Sequence, residues 1–144
     1  ADCPLIDPML IDIVVNEFLK NDFDYVSNIN PPTFPDGQDI EVIKYHALKD
    51  SLSYVENDYD KEHVTPFIRR NKKYKKKSVL NDIDYSNLRW TLDTELDLIT
   101  INNVFDYFYP ETNFSWIDIL ELYKKNPVLF ESNKNLIRNA GVDL

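Results

Sequence analysis

Two aspartates in this chain stand where an aspartate can do chemistry. The chain opens "ADCPLIDP", in which Asp2 reads as the last residue of a strand, followed by a loop and a helix. In "LRWTLDTELDL", Asp93 ends a second expected strand and immediately precedes a capped helix. In open α/β sheets, ligands sit outside the carboxyl ends of the strands. Two carboxylates delivered to that edge can converge on one hard cation. Magnesium suits such a pair, because it takes a few carboxylate oxygens together with substrate phosphates. A plainer reading also fits, since aspartate is common before helices: Asp93 then caps its helix and Asp2 a turn. Cys3, the single cysteine, has no adjacent base and reads as a small buried thiol rather than a nucleophile. One cysteine makes no internal disulfide, which fits a reducing compartment such as the cytoplasm.

The elements that must carry these residues follow from periodicity and punctuation. Asp7 then Pro8 is an N-cap followed by proline at the first helical position. Leu10, Ile13, Val14 and Phe18 then fall at helical spacing, predicting an amphipathic helix over 8–20. "FDYVSNI" (23–29) and "DIEVIKY" (39–45) read as strands, with the proline-rich loop "NPPTFPDGQ" between them. "HALKDSLSYVEN" reads as a helix. A further helix starts after Asp60 and is ended or kinked by Pro66. "YKKKSVL" and "NLRWTLD" read as strands. Thr94-x-x-Asp97 approximates a capping box before a helix whose apolar face includes Val104, Phe105 and Phe108. The tail reads as two short helices broken at Pro127. The order α-β-β-α-α-β-β-α-α-α, without linkers or repeats, predicts a single α/β layered domain over 1–144.

Composition excludes several classes. With two glycines in 144 residues, neither GxGxxG nor GxxxxGK[ST] can be written. No apolar run approaches 18 residues, so no membrane-spanning helix is expected. Residues 69–77, "RRNKKYKKK", carry seven positive charges. The net charge is −9, so the rest of the chain carries −16. An acidic protein with one basic stretch is not a general nucleic-acid binder. The run is either a solvated basic strand or turn, or a patch that attracts an anionic substrate or partner.

Several segments, in order, add a resemblance. "ADCPLIDP", "DYVSN", "PPTFPDGQDIEV", "DYDKEHVTPFI", "LRWTLDTELDL" and "RNAG" together resemble the SpsF-like cytidylyltransferases of polysaccharide biosynthesis. These are related to the CMP-Kdo and CMP-sialic acid synthetases. The resemblance implies a Rossmann-like nucleotidyltransferase fold of the nucleotide-diphospho-sugar transferase type. It also implies a reaction in which a sugar or sugar-acid hydroxyl attacks the α-phosphorus of CTP and pyrophosphate leaves. Such chemistry rests on positioning and on clamping the developing charge. In the family pattern the two motif aspartates hold Mg2+, and these fall on Asp2 and Asp93. The second motif reads "LDTELDL" here, without the usual proline after threonine; Glu95 suits the first helical turn equally well.

Further positions match the family with open roles. "FPDG" (34–37) looks like its sugar-side loop, where Asp36 would accept sugar hydroxyls; the alternative is a proline-directed turn with Gly37 at positive φ. "KEHVTP" resembles "REHVTP", with Lys61 keeping the charge of arginine but not its fork. Glu62 and His63 would contact sugar, pair with each other, or build an interface. Arg89 would bind phosphate or a sugar carboxylate, or form a structural ion pair. The family's "QARxGSxRLPxK"-type nucleotide-binding loop has no counterpart here. The resemblance therefore implies the C-terminal portion of such an enzyme, truncated at the N-terminus and inactive alone. A non-catalytic dimerisation or interaction module is the alternative. The relatives imply a homodimer, expected to form through residues 38–81 with Phe67 and Ile68 near the contact and the lysine run at its rim.

Overall fold

A computed structural model of the chain describes residues 2–54 and 57–138. Helix α1 spans Pro8–Lys20 and starts as its residues dictate, with the Asp7 carboxylate accepting the Met9 N–H at 2.7 Å and Pro8 in the first turn. Strand β1 (Tyr25–Ser27) is the centre of a three-stranded sheet ordered β2-β1-β3. Strand β2 (Glu41–Ile43) pairs antiparallel to it, and β3 (Lys76–Ser78) pairs parallel. Between β2 and β3 lie three short helices: α2 (Tyr45–Ser51), α3 (Asp58–His63) and α4 (Pro66–Arg70). Helix α5 (Glu95–Phe108) carries the expected capping box between Thr94 and Asp97. Helix α6 (Trp116–Lys125) carries a second one at Ser115, and a 3-10 turn over Pro127–Phe130 follows.

The mixed α/β class agrees with the sequence reading, but the strands are shorter than expected. Residues 87–93 form no ladder. They run extended and touch two loops instead: Asp36 N–H donates to the Leu88 carbonyl at 2.9 Å, and Trp90 N–H to the Asp36 carbonyl at 2.7 Å. The partners of this segment are loop residues, so pairing stops after one bridge. Pro66 opens α4 rather than merely ending the helix before it. The break falls at Val64, whose φ of 65° and ψ of −47° put Thr65 N–H 2.6 Å from the His63 carbonyl. That is a γ-turn, a strained conformation for a β-branched residue.

Three apolar clusters hold these pieces. Trp90, Leu88, Ile101, Val104, Ile119 and Phe130 pack α5, α6 and the 87–93 segment together. Leu10, Val14, Val26 and Phe34 seat α1 on the sheet. Tyr25, Ala47, Ile68 and Tyr74 gather the small helices. Ile68 is fully buried there, and Phe67 stacks on Tyr54 with ring centroids 5.5 Å apart. Ile68, expected near a contact between copies, is a core residue of its own chain, so its side chain is not presented at the surface.

The basic run is likewise dispersed. Arg70 pairs with Asp60, Lys73 with Asp50 and Lys75 with Asp22, while the Lys76 ammonium caps the Ile68, Arg69 and Asn71 carbonyls. Three of its seven charges are thus paired with carboxylates of the same chain.

The "FPDGQ" loop is pinned by amides. Gln38, fully buried, donates to the Leu5 carbonyl at 2.6 Å and accepts the Asp7 N–H at 3.0 Å. Asn28 clasps the loop from β1, donating to the Gln38 carbonyl at 2.6 Å and accepting the Ile40 N–H at 2.8 Å. Gly37 sits at φ +97°, and a β-carbon there would lie 2.6 Å from the Trp90 carbonyl carbon. Both the backbone angle and the close approach require glycine. Gly37→Ala should cost about 3 kcal/mol through strain and displacement of the 88–91 segment. Urea unfolding measures it, and a loss below about 1 kcal/mol would contradict this account.

Candidate functional site

The loops and strand ends converge on an open cleft of about 660 Å³. Asp2, Asp36, Asp39, Glu41 and Asp93 supply its carboxylates, and Arg69 and Arg138 its lining cations. Asp2 reaches the cleft because the extended segment holds its backbone: its carbonyl accepts the Leu92 N–H at 2.8 Å and the Thr91 hydroxyl at 2.9 Å. The first and second aspartate motifs, 91 residues apart in sequence, thus lie side by side. Asp93 follows directly, one residue before the N-cap of α5. Among the described residues no three His, Cys, Asp or Glu side chains form a complete metal cage. A pair of carboxylates with open oxygens still fits magnesium, which completes its shell with water and phosphate.

Arg89 lies beneath this end of the cleft, its side chain 3% exposed. Its Nε and one terminal nitrogen grip the two oxygens of Asp97, each at 2.9 Å. That same terminal nitrogen donates to Asp93 at 2.7 Å, and the other donates to Asp36 at 2.9 Å and to the Ile137 carbonyl at 3.3 Å. Sequence reasoning left Arg89 between a ligand contact and a structural ion pair. The geometry makes it the buried tie between three carboxylates. Asp97 was legible only as a cap, and it is also the main anchor of this arginine.

Burial works against ionised Asp97. The Arg89 fork, the Asn133 amide and the Asp93 and Thr94 donors outweigh it and bring the pKa from 3.8 down to about 2. Asp36 and Asp39 shift the other way. Burial raises both, although Arg138 pairs with Asp39 and approaches Asp36 at 4.0 Å. A depressed folded-state pKa stabilises the fold above the unfolded value and is lost as pH falls through the folded one. Asp97 should therefore contribute about 2 kcal/mol above pH 4 that disappears between about pH 4 and pH 2. Protonation of Asp36 and Asp39 offsets part of this loss. Chemical denaturation across that range should show a smaller acid loss in Asp97→Asn than in the native chain; equal slopes would refute the assignment.

The other end of the cleft is built from the γ-turn region. Tyr59, His63, Thr65 and Arg69 line it, with Glu41 facing them from β2. Glu41 accepts the Tyr25 hydroxyl and, at 3.2 Å, the Thr65 hydroxyl. His63 packs edge-on to Tyr59 at 4.4 Å, and its Nε2 is buried with no hydrogen-bond partner among the described residues. Arg69 makes no side-chain ion pair among the described residues, although Arg89 and Arg138 both do. Lys61 points away, pairing with Asp58 at 3.0 Å on the exposed side of α3, and does not line the cleft. Its expected contact with substrate has no support in this placement. The side chain of Glu62 lies outside the described residues. Cys3 lines the cleft, and burial together with Asp2 pushes its thiol up to about 12, so it stays protonated and unreactive.

Asp39, Glu41, Thr65, Arg69, Thr91 and Arg138 were not singled out from the sequence. Their only signal was membership of a quoted segment: Asp39 and Glu41 lie in "PPTFPDGQDIEV", Thr65 in "KEHVTP", Thr91 in "LRWTLDTELDL" and Arg138 in "RNAG", while Arg69 opens the basic run.

A model of the cytidylyltransferase family matches residues 1–137. The chain belongs to the cytidylyltransferase family. A solved cytidylyltransferase from Leptospira borgpetersenii serovar Hardjo-bovis is 32% identical and superposes with a TM-score of 0.85 over 99% of this chain and 58% of that one. The nucleotidyltransferase fold is thereby shown. An uncharacterized protein of Methanocaldococcus jannaschii is 33% identical over 142 residues, covering 94% of this chain and 56% of its own length. The chain thus spans somewhat more than half the length of these two proteins. Among its described residues, no helix is long and apolar enough to cross a membrane.

Proposed function

We propose that this chain forms the acceptor side and the metal edge of an enzyme that transfers CMP from CTP to a sugar or sugar acid, for surface polysaccharide or glycan synthesis. The observation that carries the proposal is the cleft in which Asp2, held against Leu92, stands beside Asp93. In this reading Asp2 and Asp93 hold Mg2+, which would draw charge from the phosphates as pyrophosphate leaves. The end lined by His63, Thr65, Glu41 and Arg69 takes the acceptor. Glu41 accepts hydroxyl protons, as it already does from Tyr25 and Thr65. Among the described residues Arg69 has no ion pair and the buried His63 Nε2 no hydrogen bond, and a sugar carboxylate matches the guanidinium. Asp36, tied to Arg89, closes the floor between the two ends.

Pyrophosphate release from the full-length protein with CTP, magnesium and a panel of neutral and acidic sugars tests this reading. Turnover with a sugar is expected; release with every nucleotide but CTP, or with no sugar in the panel, would overturn it. Arg69→Ala should raise KM for an acidic acceptor by about tenfold to a hundredfold, the loss of one charge-assisted pair, with little change in KM for CTP. Equal effects on both substrates would remove Arg69 from the acceptor end. The homodimer belongs to the same reading, through a surface other than Ile68. Light scattering at micromolar concentration would return twice the chain mass, and a monomer at low and high salt alike would dismiss it.

A further inference from the structure

We infer that Arg89 is a positioning residue that presents Asp93 to the cleft through a single oxygen, and that the Asp97–Asn133–Thr100 relay behind it sets that orientation. The inference rests on the metal reading of Asp2 and Asp93 and goes beyond it, because Arg89 itself touches no substrate.

The geometry is closed on every side but one. Asp97 receives the Arg89 fork on both oxygens, and one oxygen also accepts the Thr94 and Asp93 backbone N–H groups at 3.0 and 3.2 Å. Asn133, buried, donates to Asp97 at 2.8 Å and to the Arg89 carbonyl at 3.1 Å. The Asn133 side-chain oxygen accepts the Thr100 hydroxyl at 3.0 Å, one turn further along α5. Arg89 therefore has almost no rotational freedom. A planar guanidinium held by a bidentate bond fixes the direction of its remaining N–H groups. One of these takes the Asp93 Oδ2 at 2.7 Å, while Oδ1 has no hydrogen bond among the described residues.

Two consequences follow. Asp93 offers a cation its Oδ1 ahead of the Oδ2 already engaged by Arg89, and a single carboxylate oxygen leaves coordination positions for water and phosphate. Three carboxylates also share one guanidinium, so the group keeps an excess negative charge, and the oxygens directed toward the cleft belong to Asp36 and Asp93. This edge attracts a divalent ion without caging it. A lysine at 89 would keep the charge but lose the fork.

Manganese, a paramagnetic stand-in for magnesium, gives a direct readout by NMR line broadening on the isotope-labelled chain. In the native chain, submillimolar to millimolar Mn2+ should selectively broaden the amide signals of Asp2, Leu92 and Asp93, and Mg2+ should reverse it. Arg89→Lys and Asn133→Ala change no formal charge, so any effect on Mn2+ comes from geometry. Among these, each variant that keeps native shift dispersion should need at least threefold more Mn2+ for the same broadening, with tenfold expected for Arg89→Lys. Half-broadening within twofold of native in both, or in whichever one folds, would overturn the positioning role. The metal reading is tested separately by Asp2→Asn and Asp93→Asn. If these leave the broadening unchanged, or if the native chain shows none, the metal reading falls and the inference with it.

Discussion

Replacing Arg89 with methionine should destabilise the chain by about 3–5 kcal/mol, the cost of stranding buried charges after one partner is removed. Arg89 satisfies Asp36, Asp93 and Asp97 together, and Asp97 is fully buried. Without the guanidinium, Asp97 keeps its Asn133 and backbone donors but loses its only opposite charge among the described residues. It must then take up a proton at neutral pH or open to water. Urea denaturation at pH 7 measures the loss. The methionine variant should recover part of its deficit on acidification, since protonated Asp97 no longer needs a cation. A cost below about 1 kcal/mol, independent of pH, would show that the network does not hold this edge together.

The largest effect on activity is expected at Asp93. On the proposed reading, Asp93→Asn keeps the shape and can still accept from Arg89 but removes the charge offered to the metal. The rate of CMP transfer in the full-length protein should fall by ~10²-fold or more, equivalent to roughly 3 kcal/mol of lost charge stabilisation. Asp2→Asn should act in the same direction, because the Leu92 and Thr91 contacts seat its backbone beside Asp93 whatever its side chain. Raising the magnesium concentration should restore part of the rate in either variant. A change of less than threefold in both, at saturating CTP and acceptor, would dismiss the pair as metal ligands.

Much of the frame was legible in the residues. Asp7-Pro8 marked the start of α1, Thr94 with Asp97 the start of α5, and Pro127 the break in the tail. These are local signals: a cap, a ring or a missing N–H acts on its own turn, so the short-range sequence carries it. Gly37 belongs with them in part, since "PDG" announces a turn with positive φ. Its second reason, the Trp90 backbone against its α-carbon, is invisible in sequence, because the neighbour lies 53 residues away. The strands were overextended for the same cause. β-branched and aromatic content shows which segments suit a pleated surface, but a strand lasts only as long as its partner does.

The sequence by itself determined the mixed α/β class, the caps, the single thiol and the two aspartates set before helical elements. Tertiary structure decided what those residues do to one another. It set Asp2 beside Leu92, turned Arg89 inward onto three carboxylates, and sent Lys61 outward to Asp58. It also brought Arg69, Glu41 and Thr65 into one cleft, although they come from three different segments of the sequence. The physical reason is range. Capping and turn preferences are settled within a few bonds, whereas a buried charge is stable only where distant segments supply its counter-charge, and which segments do so is known only once the core has packed.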